Sequence, residues 1–84
     1  MITHVAIIFN GVTHSLPKPN RHHHVMHMLA FANGNQSIDG ETQGFLDDQG
    51  NFLDRAQAWD HAKACGQIIR KVSPDGELYS ENVW

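Results

Sequence analysis

The run Asn20-Arg21-His22-His23-His24-Val25-Met26-His27-Met28-Leu29-Ala30-Phe31-Ala32-Asn33-Gly34 constrains the fold more than any other stretch. It carries the start, the buried stripe and the stop of one helix. Asn20 is placed to cap the start, its side-chain oxygen accepting from a free backbone N–H of the first turn, and Asn33-Gly34 supplies the left-handed stop. Val25, Met28, Leu29 and Ala32 recur at the i, i+3, i+4, i+7 spacing of one buried face. At about 100° per residue, Arg21 falls on the meridian of that face, one turn ahead of Val25. His22 and His24 flank it, and His23 and His27 turn towards water. The first turn thus aims a guanidinium and two imidazoles along the seam between helix and core, beside free N–H groups and the positive end of the helix dipole. That combination favours an anion, above all a phosphate. The bland alternative is a solvated helix start. A third reading is a metal held by His23 and His27 at i, i+4 spacing, although no carboxylate or thiol stands beside them.

Before this helix, Thr3–Phe9 and Val12–Leu16 are β-branched runs separated by Asn10-Gly11, the strongest short hairpin signal there is. A two-residue turn sets Phe9 opposite Val12 and Ile7 opposite His14. Val5, Ile7, Phe9, Val12, His14 and Leu16 then share the more apolar face, so His14 points inward, as a core residue or as part of a site under the Arg21 helix. Leu16-Pro17-Lys18-Pro19 reads as a stiff extended connector, and Lys18 adds positive charge near the helix start.

After the helix, Asn35–Glu41 is polar with Ile38 as its anchor, and Asp39-Gly40 reads as a turn. Thr42–Leu46 and Asn51–Leu53 are expected as short strands joined by a type I turn with Gly50 left-handed. The acidic residues Asp39, Glu41, Asp47 and Asp48 read as a solvated loop. Asp54 and Gln57 form a capping-box pair opening a second helix, with Leu53 and Ala58 as its staple. Ala58, Trp59, Ala62 and Cys65 form its buried face, and Gly66 ends it. Arg55, at the first helical position, falls on that buried meridian and repeats the placement of Arg21. The pair either snorkel or converge on one anionic group, or else Arg55 pairs with an acidic residue. Ile68–Val72 reads as a strand, Ser73-Pro74-Asp75-Gly76 as a turn and Leu78-Tyr79 as a return strand. Trp84 should dock on the body or on a second subunit, because it gains from burial.

The chain of 84 residues makes one domain over residues 1–84. Its hydrophobic content of 40% supports a modest core, which together with Trp84 leans towards a homodimer. The formal net charge of −3 argues against a broad nucleic-acid footprint. The lone cysteine, Cys65, excludes a disulfide framework and fits a cytoplasmic setting. On a face among alanines it reads as buried filler. No apolar run approaches the roughly 20 residues of a membrane span, and the basic start of a signal peptide is missing. The expected architecture is α+β: a small antiparallel sheet of about five or six short strands with two helices packed on it.

Several blocks resemble a family of short, mostly uncharacterised proteins of tailed phages and prophages. They are Leu16-Pro17, Arg21-His22-His23-His24-Val25, Gln43-Gly44-Phe45-Leu46, Gly50-Asn51-Phe52-Leu53-Asp54-Arg55, Ala64-Cys65-Gly66-Gln67 and Leu78-Tyr79-Ser80-Glu81-Asn82-Val83-Trp84. The resemblance covers residues 16–84 and leaves the first hairpin outside. It brings no activity with it. It implies a phage accessory protein acting in the host cell, a setting in which small domains counter or sequester host defence components.

The leading expectation is binding of a small phosphate-bearing ligand, a nucleotide or signalling nucleotide. Arg21, Arg55 and the helix N-termini would hold phosphate, and His22, His24 and His14 would donate hydrogen bonds. Gln43 and the Gly44 backbone would read a base or ribose. A protein–protein inhibitor of a host defence component is an alternative, using exposed aromatics and the acidic 39–48 loop. Another is a small phosphodiesterase with His22 and His24 as general acid and base, ranked lower because no nucleophile or metal set is evident. The last is a metal-binding domain through His23 and His27. No cofactor is called for.

Overall fold

The computed structural model describes residues 1–34 and 41–84. The expected turn at Asp39-Gly40 and the anchor Ile38 lie outside those residues. Four strands and two helices follow in chain order: β1 (Ile2–Phe9), β2 (Val12–Pro17), α1 (His22–Ala32), β3 (Thr42–Asp47), β4 (Phe52–Asp54) and α2 (Arg55–Ala64), with a 3-10 turn at Ser80–Asn82. The strands form one antiparallel sheet in the order β2-β1-β3-β4. The class is α+β, as expected, with four strands among the described residues rather than five or six.

The Asn10-Gly11 hairpin forms in the expected register, Phe9 opposite Val12 and Ile7 opposite His14. Both turn residues take positive φ, 52° and 74°, which a type I′ turn requires. Flanked on both sides, β1 is the central strand, and its Ile2, Val5, Ala6 and Ile7 are buried. Its first residue is held by a side chain: Gln67 Oε1 accepts from the Ile2 N–H at 2.7 Å and Gln67 Nε2 donates to the Ile2 carbonyl at 2.7 Å. An amide group there does what a further strand residue would do.

The β3–β4 turn has Gly50 at φ 81°, as expected. Asp47, however, is not a solvated charge. Its Oδ1 accepts from the Gln49 and Asn51 N–H groups, each at 2.9 Å, and its Oδ2 from the Asn51 side chain at 3.2 Å. These bonds, the Asn51 backbone N–H foremost, hold its carboxyl below the usual range. Gly44 has a packing reason: a Cβ there would collide with the Leu53 carbonyl oxygen and the Phe52 ring.

Both helices pack on the sheet face that carries Val5, Ile7, Gln43 and Phe45, and Val25, Leu29, Ala58, Trp59, Ala62, Leu78 and Val83 complete the core. Two expectations for α1 are corrected. Its N-cap is Arg21, whose N–H donates to His24 Nδ1 at 2.8 Å. Asn20 instead donates its side-chain N–H to the Pro17 carbonyl at 2.8 Å, so it belongs to the turn before the helix. The buried stripe is also rotated: His22, Val25 and Leu29 are buried, whereas Met28 is 41% exposed and Ala32 is exposed. α2 starts as expected. Asp54 Oδ1 accepts from the Gln57 N–H at 2.8 Å, and Gln57 Oε1 accepts from the Asp54 N–H at 3.0 Å. Cys65 is exposed rather than filling the core, because it falls at the helix C-cap, past the last turn that touches the sheet.

The C-terminal segment forms neither of the two expected strands. Its backbone is satisfied by single contacts instead of a ladder. The Asn82 carbonyl accepts from the Ile69 and Arg70 N–H groups, Asn82 Nδ2 donates to the Arg70 carbonyl at 2.9 Å, and Asn82 Oδ1 accepts from the Tyr79 N–H and the Ser73 hydroxyl. Of the β-branched run, Ile68 packs on the core while Ile69 and Val72 stay exposed. Trp84 docks on the body as expected, its Nε1–H donating to the Asn20 carbonyl at 2.8 Å.

Candidate functional site

Where α1 and α2 begin, a cleft of about 350 Å³ is lined by Arg21, His22, His23, Arg55, Glu77, Tyr79, Ser80 and Glu81. Its position follows from local chemistry. Each helix is started by its own cap, each start lies at the same end of the packed face, and the C-terminal segment closes the third side. The positive ends of two helix dipoles therefore meet there.

Arg55 is the best-anchored residue of the site. Its Nη1 donates to the Leu78 carbonyl at 2.7 Å and its Nη2 to Gln43 Oε1 at 2.6 Å. The guanidinium carbon lies 4.9 Å from the centre of the Tyr79 ring, within cation–π range. The Arg55 carbonyl in turn accepts from the Leu78 N–H at 2.9 Å. One residue thus joins the start of α2, strand β3 and the C-terminal segment. Burial lowers its pKa, with Tyr79, Glu77 and Glu81 pulling the other way, and arginine remains charged throughout.

Arg21 is held less tightly. Its Nη1 is 3.4 Å from Ser80 Oγ and 3.6 Å from Glu81 Oε1. The Ser80 hydroxyl donates to Glu81 Oε1 at 2.8 Å. The pair is partly exposed and loose, so it contributes little to stability and leaves the guanidinium free to exchange partners.

His22 is buried in the cleft wall, 8% exposed. Its ring stands edge-on to Phe45, with centroids 4.9 Å apart. Nε2 is 2.6 Å from the Gly44 carbonyl. A carbonyl only accepts, so this nitrogen carries the proton, and in the neutral ring Nδ1 is left as an acceptor. Desolvation lowers the pKa to about 4, opposed by the Gly44 hydrogen bond and reinforced by Arg55. At neutral pH His22 is therefore an uncharged imidazole.

Of the residues singled out from the sequence, Arg21, His22 and Arg55 come together at the cleft, with Gln43 and Gly44 directly behind them. The Gln43 carbonyl oxygen is engaged by Arg55, its amide nitrogen lies 3.7 Å from Met26 Sδ, and the Gly44 carbonyl is engaged by His22. These two residues position the side chains of the wall. His24 does not line the cleft, because its ring accepts from the Arg21 backbone as part of the cap. His22 and His24 are thus turned to different tasks. His14 is half-buried on β2 opposite Ile7 and also lies apart. Lys18 is exposed and outside the lining. His23 lines the rim, with ring centroids 4.1 Å from His24 and 5.7 Å from His27. Among the described residues no three His, Cys, Asp or Glu side chains are grouped as a metal would require.

Sequence reasoning missed the whole C-terminal wall: Glu77, Tyr79, Ser80 and Glu81. The available signal was the Leu78–Trp84 block. Four of the six blocks that carry the family resemblance meet at this one place: Arg21 and His22 from the second, Gln43 and Gly44 from the third, Arg55 from the fourth, Tyr79, Ser80 and Glu81 from the last.

The family model of the phage T4 y16D protein matches residues 1–84. The match includes the first hairpin, which the resemblance read from residues 16–84 had left outside. No curated protein and no solved structure matches the chain. Among the described residues no helix is long and apolar enough to cross a membrane.

Proposed function

The chain belongs to the phage T4 y16D protein family, and from that premise we propose that it is a phage accessory protein that binds a small phosphate-bearing ligand in the Arg21–Arg55 cleft. The observation that carries this reading is the position of the two arginines. Each stands at the beginning of a helix, and both line one cleft of about 350 Å³, within the size range of small-ligand sites. Guanidinium groups offer paired N–H donors to phosphate oxygens, and the helix starts add a field of the same sign. Arg55 is held in place before any ligand arrives, while Arg21 has only a loose partner to give up. In a phage setting, a ligand held this way is withheld from the host, which would blunt a defence signalled by that molecule.

Native mass spectrometry of the protein purified from cells, before and after mild acid, tests the reading. A mass of a few hundred daltons released by acid is expected, and it should be missing from Arg21→Ala, whose circular dichroism should match that of the unaltered protein. Bare protein that also fails to bind added phosphate esters would overturn the proposal. The protein–protein inhibitor remains a second reading because α1 shows Phe31 78% exposed beside Met28 at 41%. It predicts a partner interaction lost in Phe31→Ala and unchanged in Arg21→Ala.

A further inference from the structure

The same cleft carries as many carboxylates as guanidiniums. Glu77 and Glu81 line it together with Arg21 and Arg55, the Tyr79 ring lying under the Arg55 guanidinium and the Ser80 hydroxyl beside Arg21 and Glu81. A site built only for phosphate has no use for two carboxylates, since each repels the ligand's charge. Their presence acquires a purpose if the ligand also brings hydrogen-bond donors. Carboxylates accept and never donate when ionised. His22 adds to this demand. Its Nε2–H is committed to the Gly44 carbonyl, so towards any ligand the neutral ring has only the Nδ1 lone pair to offer.

We propose, building on the phosphate reading, that the cleft selects a phosphomonoester of a donor-bearing group, the class of a nucleoside monophosphate, and that Glu77 and Glu81 are its specificity-determining residues. Arg21 and Arg55 take the phosphate. The carboxylates and the Nδ1 of His22 accept from hydroxyl or amino groups at the other end, and the Tyr79 ring offers a flat face for a base or sugar. Glu81 also occupies Arg21 at 3.6 Å until the phosphate replaces it. Polyphosphates are disfavoured. Each further phosphate adds negative charge beside Glu77 and Glu81 and brings no donors to the acid side.

Isothermal titration of the intact protein with inorganic phosphate, a nucleoside 5′-monophosphate and pyrophosphate tests this. The monophosphate should bind about tenfold or more tighter than either inorganic anion, the difference that one hydrogen bond to a charged group makes. Glu77→Gln and Glu81→Gln should narrow that gap and bring pyrophosphate closer to the monophosphate. If pyrophosphate or phosphate binds as well as the nucleotide, or the Gln variants leave the ranking untouched, the selectivity proposal fails while the phosphate reading stands. If none of the three probes binds the folded protein, both fail together.

Discussion

At the residue scale, His22 and the two arginines make different commitments. His22 sits where a protonated imidazole is poorly solvated, so its pKa falls to about 4 from an unfolded value of about 6.5. Above 6.5 both folded and unfolded states are neutral at this residue and it contributes no pH dependence. As the pH falls from about 6.5 towards 4, the unfolded chain takes up the proton first and stability is lost; below about 4 both states are protonated and the loss levels off. The full loss is on the order of 3 kcal/mol. Urea titrations at pH 7 and pH 4.5 should show a larger decline for the unaltered protein than for His22→Gln, which keeps a donor for Gly44 and cannot titrate. Arg55 differs from Arg21 in that it supports the fold as well as facing the cleft. Arg55→Lys replaces a two-ended guanidinium by a single ammonium that cannot serve Leu78 and Gln43 together. It should cost about 2 kcal/mol in urea unfolding, whereas Arg21→Ala should cost less than about 1 kcal/mol. Both arginines were legible in the sequence because each stands at a helix start, Arg55 directly after its cap and Arg21 as the cap itself. The acidic wall was not, since residues in coil have no periodicity to announce which way they face.

At the scale of elements, local rules did most of the work. The Asn-Gly hairpin, the Asp54–Gln57 box and the glycine stops are short-range chemistry, and each forms where its residues stand. The errors arose where side chains took over from local preference. The expected cap Asn20 lost to Arg21 because His24 reaches back to the Arg21 N–H, and the buried stripe includes His22, whose ring packs on Phe45 and bonds the Gly44 carbonyl. The run Ile68–Val72 has the composition of a strand, but its N–H and carbonyl groups are claimed by Asn82. Gly44 shows the same principle within a strand. Gly44→Ala puts a methyl group into the Leu53 carbonyl and the Phe52 ring. It should destabilise by roughly 3 kcal/mol and shift the His22 ring by moving the carbonyl it holds. A thermal melt, together with the imidazole proton resonances, would check both effects. Asn82→Ala should cost about 3 kcal/mol, because the Tyr79 N–H and the Arg70 carbonyl would lose their buried partner; Asn82→Gln, one methylene too long for the site, should not restore it. Equilibrium unfolding of the two variants tests this.

At the scale of the whole molecule, an antiparallel sheet with helices on one face was readable from alternation and helical period. How the last eighteen residues lie on that body was not. Their course is set by a few long-range contacts: Gln67 on Ile2, Arg55 on Leu78, Trp84 on Asn20 and Asn82 within the segment itself. This fastening has a consequence in time as well as in space. A strand sheds its amide protons to solvent through opening of a ladder, but this arm is closed by separate clasps, so its opening is a smaller event than unfolding of the sheet. The amides of Ile69, Arg70, Leu78 and Asn82 should exchange with deuterium as one group, ahead of β1 and β3, and substitution of Asn82 should quicken all of them together. A molecule bridging Arg21 and Glu77 would hold both sides of that opening at once. Slowed exchange at these four amides would then mark an occupied cleft before the occupant has been identified.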